Sequence, residues 1–324
     1  MISEKKLRED AKKLLGELDL IVGYGKNSDM CRVSPVFIKA PEDADKLIFN
    51  RFCINNLATY AYSISRQIKG KFGIVLKPCD IKSIIQLISE GLLARDRINI
   101  IAVGCEGVMD PKKIAREISG NFKIEHAEFE NGKLIINTPD KIFELKPGNF
   151  YADKCNSCKI YDKPSVYNEF MENDNKPDIL PVEEYEDIAG FENLKSAQIY
   201  EYWDKQFSRC IRCYACRNIC PLEICRDKCI SQLDEPHWQS QKINSEEGKF
   251  FQMIRVMHLA GRCTECGECE RACPMNIPVM RLMKKVNKEI GRMFNFKPGV
   301  NIDARPPLLT FKNIEENIKE EKLV

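Results

Sequence analysis

CIRCYACRNICP at residues 210–221 and CTECGECERACP at residues 263–274 decide how this chain is read. Each is C-x2-C-x2-C-x3-C-P. The first run supplies Cys210, Cys213, Cys216 and Cys220; the second supplies Cys263, Cys266, Cys269 and Cys273. Thiolates at this spacing hold four-iron cubes, and where two runs occur the fourth cysteine of each crosses to the other cube. The expected sets are therefore Cys210, Cys213, Cys216 with Cys273, and Cys263, Cys266, Cys269 with Cys220. Three cysteines at C-x2-C-x2-C wrap one cube in a short loop. The fourth lies too far along, and the proline after it ends the loop and turns the chain away. The competing reading is two structural zinc sites built from C-x2-C pairs. Zinc sites need neither the third cysteine nor the proline, so a complete run occurring twice argues against them.

At 324 residues the chain has room for about two domains. Its 44% hydrophobic content permits a proper core. Fifty basic and 48 acidic residues leave a net charge of +2, so no global field points to nucleic acid or to a membrane surface. The start, MISEKKLREDAKKLLGEL, is charged and helical and lacks an apolar leader segment. No apolar run approaches the roughly 18 residues that span a bilayer. With 16 cysteines, the expectation is a cytoplasmic protein in a reducing compartment, its thiolates committed to metal and any membrane contact made through a partner.

Outward from the two runs, the N-terminal half reads as α/β. Residues 3–17 form an amphipathic helix that Ser3 can cap, followed by a strand over 18–25 and a short strand over 33–39. Gly23 and Gly25 give G-x-G, but Ser28 stands where a dinucleotide fingerprint needs its third glycine, so an ordinary turn is preferred. Residues 50–67 read as a helix. KFGIVLKPCD, IKSIIQLISEGLL and RINIIAVGCEG, between residues 71 and 107, read as strand, helix and strand. Such a unit makes the strands parallel, with ligands beyond their carboxyl ends, where Cys79 and Cys105 stand. A short helix follows at 111–119, then a hairpin turning on Glu130-Asn131-Gly132. Residues 160–200 look like a partly irregular acidic connector. In 249–263, Phe251, Ile254, Met257 and Leu259 mark an apolar helix face, and residues 279–290 form a basic amphipathic helix. The expected organisation is an α/β domain with a partly parallel sheet (1–150), a connector carrying a C-x2-C pair (151–202), a mainly helical dicluster-ferredoxin-like domain (203–290) and a docking tail (291–324).

Cys79, Cys105, Cys155 and Cys158 make a third four-thiol set, two from strand ends and two from C-x2-C. A third four-iron cluster is favoured over unrelated core thiols or a zinc site. Cys225 and Cys229 complete nothing alone; they read as thiols beside the C-terminal clusters or as part of a further metal site. Cys31 and Cys53 read as buried apolar residues, and His126, His237 and His258 as hydrogen-bonded histidines. Because reduction adds negative charge, Arg212 and Arg217 in the first loop, against Glu265, Glu268 and Glu270 in the second, predict a higher potential for the first-loop cluster. Tyr214 is expected to pack over it.

KPCD at 77–80, VGCEG at 103–107 and KCNSC at 154–158 resemble the beta-subunit family of deazaflavin-reducing hydrogenases and formate dehydrogenases. CIRCYACRNICP and HLAGRCTECGECERACPMNIP resemble the dicluster part of subunits associated with heterodisulfide-reductase-like complexes. More distant likeness runs to the anaerobic sulfite reductase A subunit and the sulfhydrogenase beta subunit. The resemblance covers most of residues 20–290. It implies a cluster at Cys79, Cys105, Cys155 and Cys158 ahead of the dicluster part, and FAD in members with deazaflavin activity. The expected function is an iron–sulfur electron-transfer subunit of an anaerobic oxidoreductase, between a hydrogenase, formate dehydrogenase or similar catalytic subunit and a heterodisulfide-reductase-like or flavin-bifurcating subunit. The alternative is a flavin-containing catalytic beta subunit reducing a deazaflavin or nicotinamide. No nucleophile–base constellation is visible, which fits the first.

Overall fold

The computed structural model describes residues 4–27, 31–118, 124–156, 158, 165–172, 183–223, 225, 229, 233, 235–236, 238–240 and 242–311. Ser3, Ser28, His237 and residues 312–324 of the expected docking tail lie outside these. Helix α1 (Glu4–Leu14) buries Leu7 and Ala11. It leads into β1 (Leu20–Lys26), β2 (Val33–Ile38) and β3 (Leu47–Ile48). The helix expected over 50–67 is confined to its last part. A 3-10 turn at Leu57–Tyr60 leads into α2 (Ala61–Gln67). Ahead of it, the side chain of Asn50 accepts from the Phe52 N–H and that of Asn56 from the Ala58 N–H. These side-chain acceptors offer the backbone an alternative to helical bonds.

Strand β4 (Phe72–Leu76), α3 (Pro78–Ser89) and β5 (Ile98–Val103) form the expected strand–helix–strand unit. The strands are adjacent and parallel, in register from Phe72 opposite Ile98 to Leu76 opposite Ala102. All five residues of β4 are buried. That is why its sequence is a continuous apolar run: helices or loops cover both faces of a parallel sheet. The full order is β2-β1-β4-β5 with β9 (Glu169–Met171) at the far edge, β3 pairing separately with β1. After α4 (Pro111–Glu117) come β6 (His126–Glu130), β7 (Lys133–Asn137) and β8 (Ile142–Leu145), a small antiparallel sheet. Its first hairpin turns on Asn131 and Gly132, at φ 49° and 76°, the paired positive angles that an Asn-Gly turn supplies.

The connector is more ordered than its composition suggested. Besides the one-turn helix α5 (Asp153–Asn156), it donates β9, which runs parallel to β5. Three residues are too few to show a period in sequence. Helices α6 (Glu186–Glu192) and α7 (Ser196–Phe207) follow, and Trp203 stacks on Phe207 at 5.4 Å. The rest is helical: α8 (Ala215–Asn218), α9 (Ser245–His258), α10 (Glu268–Ala272) and α11 (Val279–Phe294). Helix α9 buries Phe251, as its hydropathy marked, and Leu259 just beyond its end is buried too, but Met257 is 56% exposed. It also buries Gln252, Arg255 and Val256.

The helical part docks on the α/β part through α3 and its surroundings. Ser83 and Thr264 hydroxyls meet at 2.9 Å, Arg262 pairs with Glu90, and Lys112 donates to the Cys273 carbonyl at 2.9 Å. Thr59 donates to the Ile219 carbonyl at 3.1 Å. Gly299 brings the tail onto α3, its N–H on Gln86 Oε1 at 3.0 Å. With φ at +69° and the Lys82 carbonyl 2.4 Å from where a Cβ would stand, only glycine fits there.

Ile74, fully buried in β4, tests the central sheet. Ile74→Ala is expected to lower the unfolding free energy by about 2–5 kcal/mol, read from the urea midpoint at unchanged slope.

Candidate metal centres

The N-terminal thiol set is assembled by the ends of the parallel strands. Pro78 opens α3, a favoured place for proline, and puts Cys79 in the first turn beyond β4. Cys105 lies two residues beyond β5. Cys155 sits in α5, and the N–H of Cys158 returns to the Cys155 carbonyl at 3.2 Å. The four thiols share one electrostatic neighbourhood. Burial raises the pKa of Cys79, with the charges of Asp80, Cys158 and Cys105 adding to it. Burial pushes the Cys105 thiol up to about 12, with Cys155 and Cys158 adding.

Around this set runs a buried ionic frame that the sequence reading missed. Lys77 is fully buried. Its ammonium reaches Tyr24 Oη at 2.6 Å, the Cys53 and Asn55 carbonyls at 2.8 Å, and Asp80 at 2.6 Å. Lys154, beside Cys155, lies 3.5 Å from the other oxygen of Asp80. Burial opposes the charge on both lysines, yet Asp80 and the neighbouring thiolates lift both pKa values. Two cations against one carboxylate leave a net positive frame facing four sulfurs. The available signal was a charged residue on either side of a cysteine in an otherwise apolar stretch.

The two C-terminal runs fold alike. Arg212 and Tyr214 in the first, and Glu265 and Gly267 in the second, all have positive φ, between 50° and 76°. The middle cysteines, Cys213 and Cys266, thus stand between two left-handed residues each. Left-handed backbone at a non-glycine residue costs energy and collects at functional sites. Thiols of the two runs lie within electrostatic reach of one another. Burial raises Cys210, with Cys216, Cys273 and Cys213 adding their charge. Burial and then Glu268 raise Cys266, followed by Cys220 and Cys269. Cys263 is raised by burial, then by Cys269 and Cys266. The sets meet each other: Cys269, pushed up to about 12 by burial, feels both Cys216 and Cys220.

The loop charges do not face the thiols as bare charges. Arg212 donates to the Ser240 and Lys242 carbonyls and to Tyr214 Oη at 2.9 Å. Glu268 is forked onto Arg271 at 2.8 Å, and Glu265 accepts from Asn287 at 2.9 Å. The Tyr214 ring packs edge-on against Phe251 at 5.1 Å. Cys225 lies 3.7 Å from His258 Nδ1, and its thiol is pushed up to about 11 by burial and then by Cys229. Cys31 and Cys53 are buried in the N-terminal core, and His126 is an exposed partner of Glu128.

The three sets are not isolated. A Cβ at Gly267 would touch Lys154 at 3.5 Å, so the N-terminal set's lysine abuts the second-run loop. Lys154 feels Glu268, and Glu268 feels Cys266. The charges of Cys216 and Cys220 also act on Cys269, so thiols of the two runs share one electrostatic environment. No described helix is long and apolar enough to cross a membrane.

Comparison with known proteins divides the chain the same way. Residues 69–164 match the family described as the C terminus of the coenzyme F420 hydrogenase/dehydrogenase beta subunit. Residues 209–277 match the 4Fe-4S dicluster domain. The chain therefore joins a domain of the first kind to a dicluster domain, as the motifs implied. It is 26% identical over 298 aligned positions to the F420-dependent formate dehydrogenase subunit beta of Methanocaldococcus jannaschii, covering 76% of this chain and 77% of that one. It is 25% identical over 353 positions to the F420-dependent formate dehydrogenase 1 subunit beta of Methanococcus maripaludis, covering 90% and 89%. A solved F420-reducing NiFe hydrogenase complex from Methanosarcina barkeri aligns at a TM-score of 0.37 and 14% identity, over 49% of this chain and 64% of that one.

Asp80 holds both buried lysines, so Asp80→Asn leaves two ammonium groups without their shared anion. The expected loss of stability is about 3–5 kcal/mol by chemical denaturation, the penalty of an uncompensated buried charge.

Proposed function

We propose that this chain is an iron–sulfur electron-transfer subunit of an anaerobic multi-subunit oxidoreductase. The observation that supports the reading is a 4Fe-4S dicluster match over residues 209–277, beside twelve cysteines that read as three sets: Cys79, Cys105, Cys155 and Cys158; Cys263, Cys266, Cys269 and Cys220; and Cys210, Cys213, Cys216 and Cys273. The donor sets suit four-iron cubes: all sulfur, four per set, with every thiol but the exposed Cys213 at least partly withdrawn from water. Bound there, such clusters would take up and release single electrons. The polypeptide's work is to hold the thiolates, exclude water and set the local field. Lys77 and Lys154 supply positive charge at the N-terminal set.

The reading extends to domains and partners. Residues 1–150 hold one cluster, 151–202 complete its ligands, 203–290 hold two, and 291–324 dock. The exposed Leu308, Leu309 and Phe311 suit such contact. The partners would be a hydrogenase or formate dehydrogenase subunit and a heterodisulfide-reductase-like flavoprotein, in the cytoplasm. A second reading is favoured by the names of the formate dehydrogenase relatives. It makes the chain a flavin-containing catalytic beta subunit reducing a deazaflavin.

Anaerobically prepared protein is expected to carry about twelve iron and twelve acid-labile sulfide per chain, from three cubes of four. Cys105→Ser should lower both to about eight. Zinc without sulfide overturns the proposal, and flavin absorbance at about one per chain selects the second reading.

A further inference from the structure

Helix α9 presents three polar side chains at three-residue intervals to the C-terminal thiols. Gln252 Nε2 lies 3.8 Å from Cys216 Sγ, and His258 meets Cys225. Between them stands Arg255, 4% exposed. The thiols of Cys269, Cys216 and Cys220 make up its electrostatic surroundings. Among the described residues no carboxylate forms an ion pair with it, and its Nη1 is buried without a hydrogen-bond partner. Nearby arginines are committed elsewhere: Arg262 to Glu90, Arg271 to Glu268, Arg212 to backbone carbonyls. A guanidinium buried with no counter-charge is costly. The thiolate sulfurs are the anions that offset it.

We infer that Arg255 is the fixed cation that sets the reduction potentials of the two C-terminal clusters, acting on the ligand sulfurs from between them. This rests on the electron-transfer reading above. Reduction adds negative charge to an anionic centre, and a buried cation beside it favours the reduced form. Two of the three sulfurs near Arg255, those of Cys220 and Cys269, belong to the second-run set. The effect is therefore largest there, opposite to the weighting that the loop charges suggest. Arg212 and Arg217 stand in the ligand loop but Arg212 is spent on backbone carbonyls, whereas Arg255, eight residues before Cys263, reaches the thiols.

The test is a redox titration of the full-length chain, anaerobically loaded and followed by electron paramagnetic resonance, with Arg255→Gln and Arg255→Lys compared to the parent. Signals are assigned from the Cys105→Ser protein, which retains only the C-terminal pair. In Arg255→Gln at full iron content, the reduced-to-oxidised ratio of the second-run cluster at fixed potential should fall about tenfold, ~59 mV for one electron. The first-run cluster should shift less and the N-terminal one not at all. Arg255→Lys keeps the charge, loses the forked donors and should show a smaller fall. If Arg255→Gln does not hold iron, Arg255→Lys decides: a fall confined to the second-run cluster supports the inference. Unmoved potentials in a fully loaded variant overturn it, as does an equal shift at all three centres. A parent protein without iron defeats the electron-transfer reading itself, a distinct outcome.

Discussion

A thiolate taken out of water is tolerated only beside positive charge, and the proposed function asks this chain to hold twelve ligand thiols, most of them withdrawn from water. Burial alone pushes their thiols toward the neutral form, as it does for Cys105 and Cys269. Compensation is built separately at each place. At the strand ends it is the Lys77 and Lys154 pair, pinned by Asp80. Between the C-terminal runs it is Arg255. The same cations that steady the sulfurs also hold the backbone: Lys77 binds the carbonyls of residues 53 and 55, so the loop after β3 is tied to the start of α3. Stability and cofactor environment share one set of contacts.

The two domains are joined at their thiol-bearing ends. Helix α3 begins at Cys79 and, along its length, offers Ser83 to Thr264; Glu90 just beyond its end receives Arg262. Lys112 reaches the carbonyl of Cys273 itself. The parallel sheet puts its functional edge at the carboxyl ends of β4 and β5, and the dicluster domain covers that edge. The docking combines these polar contacts with an apolar core that runs on from the sheet into the helical part, through Leu222, Val256, Leu259, Ile277 and Met283.

Much of this was legible in the sequence. The two C-x2-C-x2-C-x3-C-P runs declare a dicluster domain by spacing, and the apolar stretches at 72–76 and 98–103, with a helix between them, declare a parallel pair. The third thiol set could be gathered because Cys79 and Cys105 both follow strands. What hydropathy could not show was polar burial. In α9 it marked Met257 as core, but the helix turns Gln252 and Arg255 inward because sulfur, not carbon, lies on that side. Nor did proximity along the chain tell that Arg212 points to the carbonyls of residues 240 and 242. Strand β9 escaped because three residues carry no period, and its pairing is set by β5 rather than by its own composition.

The proposed exchange of Cys220 and Cys273 between the runs has a consequence for how the C-terminal part can be inherited or dismantled. A fragment that stops between residues 220 and 263 keeps three sulfurs of one such cage and a single sulfur of the other. Neither half is a smaller version of the whole. Cleavage, truncation or recombination within the intervening segment removes both cages together, and the long insertion bearing α9 could lengthen over evolution only while both ends stayed in place.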